Sequence, residues 1–150
     1  MKKFTKFLSV LSIGLMCVAF ASCKDDEPDK TMSYDSLPKA AQSFISTYFS
    51  NARVTTVTWD KTDQTYDVTL SNRFELSFDK AGDWTDVDAP DGYLVPDGIV
   101  PAKISNYVYS TYPGEGINEI EKISTGYEVE LLSGLGLLFN HDGEVIGLNN

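Results

Sequence analysis

Few residues in this sequence have the types and spacing that catalysis requires. The chain has 150 residues and one histidine, His141, in the turn sequence Asn-His-Asp-Gly, where we expect an exposed side chain. Its two cysteines, Cys17 and Cys23, both lie near the N-terminus. An enzyme of this size needs a nucleophile with a base, paired carboxylates in a pocket, or a metal cluster. The sequence predicts no catalytic residue, no cofactor and no metal ligand, so we expect a protein that is not an enzyme.

An acidic run between residues 83 and 97 is the strongest candidate for cation binding. Calcium takes hard oxygen ligands, which closely spaced aspartates provide. The spacing from Asp86 to Gly92 has one residue too many for an EF-hand loop, and Pro90 restricts the bend. A solvated linker is therefore favoured, and calcium binding stays open. The run consists of Asp83, Asp86, Asp88, Asp91 and Asp97.

The first 22 residues have the pattern of a cleaved export signal. Lys2, Lys3 and Lys6 precede an apolar segment from Phe7 to Phe20, and the small residues Ala21 and Ser22 follow. The apolar segment is shorter than the roughly 20 residues that a spanning helix needs. Residues 1–22 are therefore predicted to be a signal peptide that is removed.

The residue after this segment, Cys23, is a candidate for lipid attachment. The sequence Phe-Ala-Ser-Cys at residues 20–23 resembles the lipobox of bacterial lipoproteins. That resemblance implies a lipid on Cys23, which would tether the mature chain to a membrane. The alternative is ordinary cleavage nearby, which would leave a free thiol. In either case one cysteine is left, so no intrachain disulfide is expected.

Residues 23–36 are predicted to be a flexible acidic tether, because they contain little that can be buried. Lys24 followed by Asp25 and Asp26 looks like the surface-export signal of Bacteroidetes lipoproteins. That resemblance implies an outer-membrane lipoprotein of the bacterial cell envelope, exposed at the surface. The alternative is a solvated spacer on a protein that faces the periplasm.

The charge of the mature chain makes nucleic acid a poor partner. The full sequence has 12 basic and 22 acidic residues, and the signal peptide holds three of the lysines and no acid. The mature balance is therefore 12 − 3 = 9 basic against 22 acidic residues, a net charge of 9 − 22 = −13. Such a surface repels the phosphate backbone.

The remainder of the chain contains two similar segments. Leu37-Pro38 and Val100-Pro101 are 63 positions apart, and later matches are 61 apart. Each segment begins with a helical apolar stripe and continues with four alternating strands, which start in the first copy near Val54, Thr65, Phe74 and Trp84. We predict an α+β fold over residues 37–150. Repeat one spans about 37–88, a linker about 89–99, and repeat two about 100–150.

These segments resemble the PepSY-like, beta-lactamase-inhibitor-like lipoproteins of Bacteroidetes. The resemblance rests on the Leu-Pro or Val-Pro start, the Tyr-x-Val-x-Leu strand, and the hairpins at residues 78–82 and 139–143. It implies a tandem α-β4 repeat with helices packed on one face of a curved, largely antiparallel sheet. The family has no settled activity, so the resemblance leaves the function open.

Our first hypothesis is a non-enzymatic interaction protein that presents the uncovered face of its sheet to a protein partner, as an inhibitor would. The alternative is an accessory lipoprotein that binds a small ligand, a peptide or a glycan through exposed aromatic residues. The alternation in the second repeat predicts that the interaction face includes Glu128, Glu130, Leu132 and Leu138.

Overall fold

The computed structural model describes residues 30–149, which form two α-helices and one sheet of nine strands. The predicted signal peptide and Cys23 lie outside the described residues. The helices are α1 (Lys39–Tyr48) and α2 (Ala102–Thr111), and a short 3-10 helix covers Tyr34–Ser36. The strands are β1 (Lys30–Thr31), β2 (Val54–Asp60), β3 (Thr65–Leu70), β4 (Glu75–Phe78), β5 (Trp84–Asp88), β6 (Ile117–Ile123), β7 (Gly126–Leu131), β8 (Gly136–Asn140) and β9 (Val145–Asn149).

Each strand pairs with the next strand along the chain, and every pairing is antiparallel. The order of strands in the sheet is therefore the order in the sequence. Helix α1 precedes β2 to β5, and α2 precedes β6 to β9. The predicted combination of two helices and a mostly antiparallel sheet is confirmed.

Both helices pack on the same face of the sheet. In the first half, the ring of Phe44 on α1 lies 5.6 Å from the ring of Phe78 on β4 in an edge-on arrangement. In the second half, Tyr107 on α2 and Phe139 on β8 make the matching contact, also at 5.6 Å. Phe78 and Phe139 are fully buried, as is expected of large aromatic residues at the centre of a core. The opposite side of the sheet, which we name the open face, has no helix against it within residues 30–149.

The start of each helix packs closely on a hairpin glycine. Gly82 has a φ of +91°, and a Cβ there would lie 2.7 Å from the Cβ of Pro38. Gly143 has a φ of +73°, and its Cβ would lie 3.2 Å from the Cβ of Lys103. A side chain at either position would be strained both by the backbone conformation and by the helix. These glycines therefore set how closely each helix approaches the sheet.

The segment predicted to be a tether contains regular structure in its second half. Lys30 and Thr31 form β1, which pairs with Trp59 and Thr58 of β2. Met32 continues the pairing, since its backbone N–H donates to the carbonyl of Val57 at 2.8 Å. Burial of Met32 against the core accounts for this order, which the polar composition of the segment did not indicate.

The segment between the two halves also differs from the expected solvated linker. Val95 and Ile99 are buried in the core, although Asp91 and Asp97 are exposed. The side-chain amide of Asn118 donates to the carbonyls of Ala89 and Tyr93, at 3.0 Å each, and so fixes the path of the segment.

Neither helix within residues 30–149 has the length and apolar character that crossing a membrane requires.

Candidate functional site

Six carboxylates come together on the open face where β5, β6 and β7 lie side by side. Each strand contributes two, separated by one residue, and cross-strand pairing aligns them in two rows. Like charges placed directly opposite each other destabilise a sheet, so this arrangement costs stability. We name these six residues the acidic block, and its rows are Asp86–Glu121–Glu128 and Asp88–Glu119–Glu130.

The local sequence places the carboxylates on this face through an acid–apolar–acid pattern in each strand. The central residue of each pattern is Val87, Ile120 or Val129, and each is 0% exposed beneath the helices. Successive side chains of a strand point to opposite faces, so burying the central residue turns both of its acidic neighbours to the open face.

Two neighbouring strands extend the rows. Asp67 on β3 and Glu75 on β4 continue the first and the second row respectively. Asp67 is held by hydroxyl groups, since Thr65 and Ser77 both donate to its Oδ1, at 3.1 and 2.9 Å. Within residues 30–149, no lysine, arginine or histidine occupies a position in either row.

The strongest electrostatic effect falls on Asp86, at the edge of the block. Burial, together with the charges of Glu119, Glu121 and Asp88, raises the pKa of Asp86 to about 8. Its Oδ1 is buried and has no hydrogen-bond partner among the described residues. A buried carboxylate oxygen without a donor favours the protonated form, so Asp86 binds a proton near neutral pH.

Two further members of the block have raised pKa values for the same reasons. Burial raises the pKa of Glu119 to about 7, with added repulsion from Asp88 and Glu130. Burial also raises the pKa of Asp88 to about 6, with added repulsion from Glu75 and Glu130. The block therefore attracts positive charge, either as protons or as a cationic ligand.

The four residues predicted for the interaction face lie at or beside this block. Glu128 and Glu130 belong to it, and the side-chain amide of Asn149 donates to Glu128 Oε1. Leu138 lies opposite Glu128 on β8 and is half-buried, whereas Leu132, just after β7, is 43% exposed. Leu138 therefore lies beside the first row of the block, and Leu132 lies beyond the second row at the end of β7.

Sequence reasoning missed the other four members of the block. The run from Asp83 to Asp97 predicts a solvated linker, but the structure places Asp86 and Asp88 in β5. Glu119 and Glu121 in β6 were not singled out. The signal that could have found them is the acid–apolar–acid spacing, which occurs once in each of three consecutive strands.

The remaining candidates from the sequence do not join the block. His141 lies in an exposed turn, as predicted, with its Nε2 3.2 Å from the carbonyl oxygen of Ser124. In the part of the chain that the structure describes, no group of three or more His, Cys, Asp or Glu side chains is arranged to hold a metal ion.

Two cavities lie away from the block. One, of about 420 Å³, is open and is lined by Tyr34, the last turn of α1 and the segment that leads into β2, which includes Arg53. The other, of about 70 Å³, lies between residues 94–100 and α2. Neither includes a residue of the acidic block.

The fold and the block together define a small α+β domain with an open, acidic antiparallel sheet. The family model described as "Putative beta-lactamase-inhibitor-like, PepSY-like" matches the chain twice, over residues 24–82 and 64–147. The chain belongs to this PepSY-like family. No protein with a curated description matches it.

Solved structures from Bacteroides species are similar to the chain over most of its length. One is a "putative periplasmic protein of unknown function" from Bacteroides vulgatus, with 31% identity and a TM-score of 0.76, covering 82% of this chain and 100% of its own. A second from the same species, also a "putative periplasmic protein", has 35% identity and a TM-score of 0.76, with coverage of 83% and 99%. A third, a "putative calcium-regulated periplasmic protein" from Bacteroides thetaiotaomicron, has 32% identity and a TM-score of 0.76, with coverage of 81% and 97%.

The raised pKa of Asp86 predicts an unusual dependence of stability on pH. The folded chain binds the proton of Asp86 more tightly than the unfolded chain does. The stability that the protonated Asp86 contributes is therefore fully present below about pH 4, and it is lost as the pH rises to about 8. Asp86→Asn removes the ionisation. We expect this variant to exceed the wild type by about 2 to 4 kcal/mol in free energy of unfolding at pH 8, with little difference near pH 4.

Denaturant unfolding at a series of pH values measures this effect. Asp97→Asn, which removes an exposed carboxylate outside the block, is the control and should follow the wild type. A difference between Asp86→Asn and the wild type that does not change with pH would contradict the assignment.

Proposed function

We propose that this chain is a non-enzymatic binding protein whose acidic block binds a positively charged segment of a protein partner. The observation that carries the proposal is the convergence of six carboxylates in two aligned rows, with the pKa values of three of them raised. A lysine or arginine side chain placed between the rows would relieve the repulsion that the sheet otherwise carries.

The shape of the block favours an extended partner surface. Three adjacent strands cover about 10 Å across the sheet, because neighbouring strands lie about 4.8 Å apart. That width suits several basic side chains of one segment better than a single small ligand. Leu138 beside the first row and Leu132 beyond the second row add apolar contact area at the border of the block, as is usual in protein interfaces. The family description, which includes the words "beta-lactamase-inhibitor-like", supports an inhibitor-like role toward an envelope protein.

The two halves of the chain support the same proposal. We infer that they are a tandem repeat in which β5 of the first unit pairs with β6 of the second. The acidic block then lies across the junction of the two units. A binding surface at such a junction needs both units, and neither half would present the complete block alone.

A divalent cation is the second candidate for the block. It is favoured by the buried, unpartnered Oδ1 of Asp86 and by the similarity to the structure described as "calcium-regulated". Calcium takes six to eight oxygen ligands, and among residues 30–149 no three His, Cys, Asp or Glu side chains are placed to hold one metal ion. The peptide proposal therefore takes precedence, and calcium is a separate arm of the same experiment.

A glycan-binding role has less support from the structure. Trp59 is partly buried, and its ring makes a tilted contact with the ring of Tyr66 at 4.7 Å between centroids. The ammonium group of Lys122 lies over the ring of Trp84, 3.9 Å from its centroid. The exposed tyrosines Tyr93 and Tyr109 are the residues that this alternative would have to use.

The proposed binding is tested with isosteric variants of the second row. In the triple variant Asp88→Asn, Glu119→Gln, Glu130→Gln, the charge between the strands is removed while side-chain size is kept. We expect the affinity for a lysine-rich peptide, measured by isothermal titration calorimetry at low salt, to fall by about tenfold or more, since charge-assisted contacts across an interface are lost.

A matched control changes the same number of carboxylates elsewhere. The triple variant Asp35→Asn, Asp97→Asn, Asp142→Asn alters exposed carboxylates outside the block and should bind the peptide nearly as the wild type does. Equal losses in both variants would show attraction to net charge alone and would contradict a specific site. Tight binding of calcium chloride that only the block variant loses would favour the second candidate.

We further propose that the chain is anchored in the bacterial envelope through a lipid on Cys23, with the domain at the cell surface or in the periplasm. The periplasmic descriptions of the similar structures support the compartment. Cys23→Ser removes the thiol that would carry the lipid, so we expect it to abolish labelling by a fatty-acid analogue and to release the protein from the membrane fraction. Unchanged labelling of that variant would contradict the lipid anchor. Protease added to intact cells distinguishes the two locations, because it would cleave a domain at the cell surface and spare one in the periplasm.

A further inference from the structure

Strand β9 forms one edge of the sheet and exposes apolar side chains. Within residues 30–149 it pairs only with β8, so its outer backbone groups have no strand partner there. Val145, Ile146 and Leu148 are 39%, 54% and 54% exposed. An edge strand with exposed apolar residues is a template for pairing with another strand.

The two edges of the sheet differ in how they are protected. The opposite edge, β1, is two residues long and contains Lys30. Short edge strands and lysine side chains are common means of preventing edge pairing. Strand β9 has five residues and no charged side chain. Among the described residues, the one feature of β9 that protects an edge is a bulge where it pairs with Leu138 and Phe139.

The sequence of β9 is complementary to itself about Gly147. If two copies pair antiparallel around a two-fold axis at Gly147, then Ile146 of each copy lies opposite Leu148 of the other. Both exposed side chains are covered, and no charge is buried. We propose that β9 is an interface with a second copy of this chain, which joins the two sheets edge to edge.

The charge distribution supports a second copy as the occupant. Strands β8 and β9 place no charged residue in the two rows of the open face. In the pair, five strand spacings separate Glu128 or Glu130 from the same residue of the other copy, about 24 Å at 4.8 Å per spacing. That distance is about three Debye lengths at physiological salt, so the two acidic blocks barely repel each other.

The charged residue that directly precedes β9 is already paired. Glu144, just before β9, accepts from Lys103 Nζ at 3.1 Å. Because a two-fold axis perpendicular to the sheet keeps both open faces on one side, the pair would present two acidic blocks to a common partner or surface.

A cysteine at the proposed axis tests both the partner and the register. A Cβ at Gly147 would meet only Leu138 Cδ1, at 3.8 Å, so a cysteine fits without strain. Across an antiparallel pair, opposite Cα atoms lie about 4.5 or 5.5 Å apart, within the range of a disulfide. We expect Gly147→Cys in the full exported chain to form a disulfide-linked dimer of this chain on mild oxidation, seen on a non-reducing gel.

The control is Tyr109→Cys on α2. Tyr109 is 75% exposed, so a cysteine at this position measures how much dimer forms by random collision. Gly147→Cys should give at least about fivefold more dimer than this control, and adding Leu148→Lys should lower that yield again, because it places charges in the pairing. The wild type measures the background from Cys23, and thermal melting verifies that each variant is folded.

Dimer formation at the level of Tyr109→Cys by a folded Gly147→Cys variant would overturn the proposal. A mixed disulfide with a different protein would also overturn it, because the edge would then be occupied by a heterologous strand.

Discussion

The alternation of side chains along β5, β6 and β7 is the constraint on which the rest of this structure depends. Val87, Ile120 and Val129 lie beside one another under the helices, and each is completely buried. Their burial fixes the register of the three strands, because a shift of one residue would place every carboxylate in the core. Because side chains alternate along a strand, the same burial places the acidic neighbours of these three residues on the open face, where they are aligned in rows.

The acidic block therefore exists at the expense of stability. Opposed carboxylates repel across the strands, and partial burial removes the water that would screen them, so the pKa values of Asp86, Asp88 and Glu119 rise. A sheet selected for stability alone would alternate charges or place hydroxyl groups here, as it does at Thr58 and Thr69. In an otherwise stable fold, a local arrangement of residues that reduces stability is typical of a functional site.

Much of the fold could be predicted from the sequence, because its signals are local. The helical stripe from Leu37 to Phe49 and the alternation at residues 65–70 gave the helix and strand positions closely, and the strand start predicted at Phe74 is shifted by one residue. Of the six residues of the acidic block, the sequence singled out two as candidates for the interaction face. Glu128 and Glu130 were found because alternation shows which face they occupy. Asp86 was not, because the run of aspartates from Asp83 to Asp97 has the composition of a solvated segment, which outweighed the acid–apolar–acid spacing within β5.

The central claim is that the acidic block binds positive charge from a partner, and proton release tests it most directly. A lysine-rich peptide is titrated into the protein at pH 7 in buffers of different ionisation enthalpy, and the heats give the number of protons exchanged. Because the pKa values of Asp86 and Glu119 are raised to about 8 and about 7, both groups must lose protons when a cation binds beside them. The account predicts net proton release on binding, and it predicts that Asp86→Asn lowers this release. Binding without proton exchange, or with the same release from Asp86→Asn, would contradict it.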